Sequence, residues 1–201
     1  MAQIKTNQYS IADDAITLAK MAGGTDGNIL TYDASGNPAV VASGTSGHFL
    51  KSQGADTVPL FAAGGVNTPF FYAYRATNWD LVNATLSTVP HDTVLYQTGS
   101  TYNTSTYAWT PAEAGTYKFY ATIRSSSGSF GNYEMYIKTS VAGEVARTQG
   151  AMNITTNVSV IRTLTSSENV FITMYQDSGS TKTFTGGSIY TFFCGFKLIG
   201  A

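Results

Sequence analysis

An all-β fold is predicted for this chain, and three observations predict it. Helix-favouring charge is scarce, with only 11 Lys and Arg and 12 Asp and Glu in 201 positions. Thr, Tyr, Phe and Val crowd the second half, and such side chains suit a pleated, half-buried surface. Short alternating apolar segments there are separated by turns rich in Gly, Ser, Asp and Pro, the pattern of many short strands in a sandwich or jelly roll.

The elements follow in chain order. Residues 10–24 (SIADDAITLAKMAGG) hold the one helical pattern. Ser10 or Asp13 caps it, apolar residues recur at helical spacing, and Gly23 and Gly24 end it. A helix of about three turns is marginal alone in water, so its apolar stripe leans either on its own domain or on a partner. From Gly24 the chain repeats itself. GTDGNIL over 24–30 returns as GTSGHFL over 44–50, and each copy is followed by a turn and a proline-bounded strand, DASGNP over 33–38 and QGADTVP over 53–59. Two units of about 20 residues enclose no core of their own, so burial is expected to come from neighbouring chains.

After a hinge at Gly64 and Gly65, one β domain is predicted to run to residue 201. Its strands are read at 70–74, 117–123, 133–137, 158–161, 170–174 and 189–198. Turns are read at 98–100, 111–115, 125–128, 142–143, 177–179 and 186–187. In the first long strand Tyr117, Phe119, Ala121 and Ile123 point one way. In the last, Phe192, Cys194, Phe196 and Leu198 share one face, and Phe193 lies on the other. Aromatics on both faces exceed what one sandwich core needs, so Tyr117, Phe119, Phe193 and Phe196 are read as sandwich core or oligomer seam. Cys194 reads as a small buried hydrophobe.

Charge and composition exclude several classes. A net charge of -1 gives no long-range pull on phosphates, so neither nucleic acid nor an anionic membrane surface is an expected partner. One cysteine makes no internal disulfide and no cysteine-rich metal site. No apolar run reaches the roughly 18 residues of a membrane span, and the first ten residues lack the apolar stretch of a signal peptide, so synthesis in the cytoplasm is expected. The 29 Thr and 19 Ser outnumber the charged residues and would solubilise the surface in their place.

Catalytic chemistry is hard to find. His48 and His91 stand apart, neither with a Cys, His or acidic neighbour at ligand spacing, and His91-Asp92 has no Gly-x-Ser-x-Gly elbow to make a triad. Asp92 reads as a turn cap. Asp13 and Asp14 suit a helix start, and Glu113, Glu134 and Glu144 are isolated. A glycosidase pair contributed by distant strands or by two subunits stays open as the minor alternative. No cofactor or metal is expected. Exposed aromatics remain: Tyr96, Tyr102 and Tyr107 near Asn103, and Trp79 within 76–80, are candidate ligand contacts, because flat rings beside amides suit sugars or protein epitopes. The alternative is that they fill the ends of the sandwich.

Two resemblances sharpen the reading. TLAKMAGGTDGNILTYDASGNPA over 17–39 with TSGHFLKSQGAD over 45–56 resembles the repeat of tailed-bacteriophage tail-fibre and virion structural proteins. VPHDTV over 89–94, YAWTPAEAGTYKF over 107–119 and the closing FCGFKL over 193–198 resemble the complement-type globular head, a trimeric jelly roll related to tumour necrosis factor. His91 departs from that pattern, where Phe is usual, as does the Ser105-Thr106-Tyr107 stretch. Together they imply a homotrimer with a docking segment (1–23), a two-unit stalk (24–65) and a jelly-roll head (66–201). Ile11, Ile16, Leu18 and Met21 would dock on the particle. The implied role is a non-enzymatic phage fibre or adhesin, located on the virion and binding a host surface glycan or protein or other virion proteins. Capsid decoration or a head fibre is the alternative, and a polysaccharide-degrading tailspike a further one.

Overall fold

A computed structural model describes residues 23–128, 130–152 and 154–198. The predicted helix, with the candidate docking residues Ile11, Ile16, Leu18 and Met21, lies outside the described residues. The chain divides into two compact units, Met1–Gly64 and Gly65–Ala201.

The first unit folds each repeat into one antiparallel hairpin. β1 (Ile29–Tyr32) pairs with β2 (Pro38–Val41), and β3 (His48–Lys51) pairs with β4 (Leu60–Ala63). Asp33 makes the first turn: its Oδ1 accepts the amides of Ser35 and Asn37, both at 2.9 Å. Gly36 supplies the positive φ (78°) that the turn requires. The second repeat copies the register of the first, placing Leu50 opposite Phe61 as Leu30 stands opposite Val40. Among the described residues of this unit, Val41 is the one fully buried hydrophobic. Leu30, Val40 and Phe49 are 59%, 59% and 68% exposed.

The second unit is a two-sheet sandwich. One sheet contains β5 (Phe70–Tyr74), β8 (Thr93–Thr98), β11 (Gly115–Arg124), β14 (Thr155–Leu164) and β17 (Phe192–Lys197), in the spatial order β14-β11-β17-β5-β8. The other contains β9 (Tyr102–Asn103), β10 (Ala108–Trp109), β12 (Phe130–Thr139), β13 (Gly143–Met152) and β15 (Val170–Gln176), in the order β13-β12-β15-β10-β9, with β7 (Ser87–Thr88) also paired to β15. A small pair, β6 (Trp79–Leu81) with β16 (Lys182–Phe184), accompanies them. The crossovers and the first-to-last pairing of β5 with β17 are those of a jelly roll.

Alternate residues of the long strands build the core. Tyr117, Phe119, Ala121 and Ile123 of β11 are buried, as are Met135 and Ile137 of β12 and Ile172 and Met174 of β15. An aromatic cluster fills the space between the sheets. Phe71 stacks on Trp109 at 4.9 Å and meets Phe193 edge-on at 4.8 Å, and Trp109 meets Tyr117 at 5.3 Å. Such pairs are worth about 0.5–1.5 kcal/mol each beyond their burial. The Tyr117 hydroxyl leaves the core to donate to the Glu113 carbonyl at 2.6 Å.

His91, in the segment just before β8, is completely buried, tilted 6.0 Å from the Phe193 ring, with neither ring nitrogen hydrogen-bonded. It fills an aromatic position of the core, in keeping with the Phe that the resembling pattern has there. Asp92 ties two segments together rather than capping its own turn. It pairs with Arg75 and accepts the Ala76 amide at 2.9 Å.

Candidate functional site

The outward face of the five-stranded sheet is the unusual surface of the second unit. Cross-strand register lays its side chains in rows. Ile161, Lys118, Phe196, Phe70 and Thr98 form one row, and Ser159, Tyr120, Cys194, Tyr72 and Tyr96 the next. Asn157, Thr122, Phe192, Tyr74 and Thr93 form the third. Seven of these positions are aromatic, and Lys118 is the only charged one. Its Nζ donates to Ser159 Oγ at 3.1 Å.

The rings are ordered against one another. Tyr72 stacks on Phe192 at 4.9 Å and meets Tyr96 edge-on at 6.1 Å, while Tyr120 lies 5.7 Å from Phe192. The Tyr72 hydroxyl donates to the Ser188 carbonyl at 2.5 Å, which fixes the ring, and burial pushes its pKa up to about 12. A groove of about 300 Å³ opens between Phe70, Tyr72, Tyr96, Cys194 and Phe196. Cys194 Sγ points at the Tyr120 carbonyl at 3.6 Å, and burial raises the thiol to about 11. Tyr96 and Ile161 are each 58% exposed and Phe196 37%. Exposed apolar faces rimmed by polar residues generally mark interaction surfaces, because leaving them in water forfeits their transfer free energy.

The predicted site residues separate on this frame. Tyr117, Phe119 and Phe193 lie in the sandwich core, whereas Phe196 lies on the outward face. The shared face of Phe192, Cys194 and Phe196 is present, but it is that outward face and not the interior. Cys194 is therefore half-buried among surface aromatics. Of the candidate ligand contacts, only Tyr96 stands in the open. Trp79 is buried, stacked at 5.0 Å on Phe184, and Tyr102 is buried against Phe71 at 5.4 Å. These two are corrected from exposed loop aromatics to core residues. Tyr107 is half-buried in the turn between β9 and β10, at φ 58°. The expected cluster of Tyr96, Tyr102 and Tyr107 does not form, since Tyr102 enters the core and Tyr96 points outward from the other sheet. Tyr120 shares the side of β11 that carries Lys118 and Thr122, opposite the apolar side, whereas nothing in FFYAY of β5 marks Phe70, Tyr72 and Tyr74 as outward, because that strand alternates aromatic with aromatic or Ala.

Among the described residues, no group of three or more His, Cys, Asp or Glu is placed to hold a metal ion. Glu113 binds Lys197 Nζ at 2.7 Å at the end of the sheet, and Asp92 is taken by Arg75.

Comparison with known proteins accords with this geometry. The profile of the C1q domain family matches residues 70–198. Among solved structures, the chain is similar to the globular domain of zebrafish complement 1qA protein, at 18% identity, covering 65% of this chain and 96% of that one, with a TM-score of 0.48. No curated protein matches the chain.

Proposed function

The chain belongs to the C1q domain family through residues 70–198, and from that premise we propose that it is a homotrimeric binding protein of a bacteriophage particle. The observation that carries the trimer is the outward face of the β14-β11-β17-β5-β8 sheet. Seven aromatic side chains with one cation and no carboxylate are what a subunit seam needs, and C1q domains typically trimerise. Phe196 and Tyr96 would be buried there, and the polar rim of Asn157, Ser159 and Thr98 would stay wet.

The particle assignment rests on the repeats. Two hairpins in matching register, with apolar rows outside, form a stalk whose burial comes from neighbouring copies. Function is then adhesion by avidity, three weak contacts acting together, rather than turnover. A fibre or adhesin is favoured over capsid decoration or a head fibre. Mass spectrometry of purified particles tests the location, which fails if the chain is absent from them.

A further inference from the structure

The opposite sheet holds a second feature that the self-association face does not use. On the solvent side of β13-β12-β15, register sets Gln149, Glu134 and Tyr175 side by side in one row. Asn132 and Asp177 follow at the end of the strands, where the Asp177 amide donates to the Asn132 carbonyl at 3.0 Å. These residues and Gly150 line a cleft of about 320 Å³, at the small end of the range of ligand pockets.

The backbone is bent to make room. The pairing of β12 with β13 slips between Phe130 and Tyr133, and Asn132 is held at φ 43° within that slip. Bulges of this kind re-aim side chains and gather beside binding sites. The Tyr136 hydroxyl, one row along, donates to Glu134 Oε2 and restrains that carboxylate.

The lining defines its ligand. Ionised carboxylates only accept hydrogen bonds, so Glu134 and Asp177 demand a partner rich in donors. No cation lines the cleft: the nearest in register, Arg147, is one row away and faces Glu144 at 3.7 Å. An anionic ligand would therefore be repelled. The Tyr175 ring demands a flat, weakly polar face, and the Asn132 and Gln149 amides both donate and accept. A neutral pyranose offers hydroxyl donors round its edge and a C–H face for the ring. We propose that this cleft is a binding site for an uncharged sugar unit of a larger glycan. The inference rests on the reading of the head as a binding module, but not on its oligomeric state.

Saturation-transfer NMR and calorimetry on the full chain test it, with maltotriose, chitotriose and N-acetyllactosamine as neutral probes and sialyllactose as the anionic one. At least one neutral probe is expected to bind with a Kd near or below the millimolar range, and sialyllactose not to bind. Tyr175→Ala should weaken that binding at least tenfold and Glu134→Gln at least threefold, while sedimentation of both variants matches the parent. Gln149→Leu, at an exposed position, gives the same readout if Tyr175→Ala fails to fold. No binding by any neutral probe, preference for sialyllactose, or binding unmoved by all three substitutions would overturn the proposal. A chain that sediments as a monomer yet binds the neutral probe would remove the trimer and leave this site standing.

Discussion

Gly195 of β17 and Phe119 of β11 are cross-strand partners, and a Cβ built on Gly195 would lie 2.5 Å from Phe119 Cδ1 and 3.0 Å from Phe71 Cε1. The glycine is there because two buried rings occupy the space of its side chain. Gly195→Ala is expected to force those rings off their rotamers and lower stability by about 1–3 kcal/mol. Thermal unfolding by circular dichroism checks this, and an unchanged Tm would show that the rings are free to move.

His91 makes the core acid-sensitive. Burial presses its imidazole down to about 3, whereas in the unfolded chain it titrates near 6.5. Between those values the unfolded state binds the extra proton, so His91 leaves stability whole above about pH 6.5 and erodes it as pH falls towards 3. The slope is at most about 1.4 kcal/mol per pH unit. His91→Phe should flatten this part of the pH profile. Urea unfolding of both proteins at pH 7 and pH 4, at one protein concentration, measures the difference.

Cys194 should be a slow thiol. With its pKa raised to about 11, its thiolate fraction at pH 8 is on the order of 100-fold below that of a free cysteine. Alkylation by iodoacetamide followed by mass spectrometry should run about that much slower in the folded protein than in urea. Equal rates would place the thiol in open solvent.

The stalk reading makes its own demand. Leu50 occupies, in the second hairpin, the register position of Leu30 in the first, and both are about half exposed or more in a single chain. In a Cys194→Ser background, Leu50→Cys should form disulfide-linked pairs of chains on mild oxidation, seen as a doubled mass on a non-reducing gel. A trimer that yields no such pair would show that the stalks stay apart.

How far the sequence leads depends on which side of a strand carries information. β5, β11, β12, β14, β15 and β17 each contain a run that alternation locates, because one face is wholly apolar. β13 was not legible. Its GEVARTQGAM pairs β12 as an edge strand whose Arg, Thr and Gln are those of a loop. The two- and three-residue strands β6, β7, β9, β10 and β16 are too short for any period to show; the burial of Tyr102 and Trp109 is set by Phe71 of the opposite sheet, and that of Trp79 by its cross-strand partner Phe184. The same limit explains the candidate sites. An aromatic between turns looks exposed in sequence, and only the packing of Trp79 on Phe184 or of Tyr102 on Phe71 decides otherwise. Conversely, Glu134 and Tyr175 lie 41 residues apart and meet only through strand pairing.

The central claim is that the aromatic face of the β14-β11-β17-β5-β8 sheet is a subunit seam, and sedimentation equilibrium of the full chain beside Phe196→Asp tests it most directly. At micromolar concentration the parent should sediment at about three times 21.4 kDa, and the variant, with a carboxylate placed among Phe70, Tyr72 and Cys194, should fall to the single-chain mass while keeping its far-ultraviolet spectrum. A parent that sediments at 21.4 kDa, or a folded variant that stays trimeric, would contradict it.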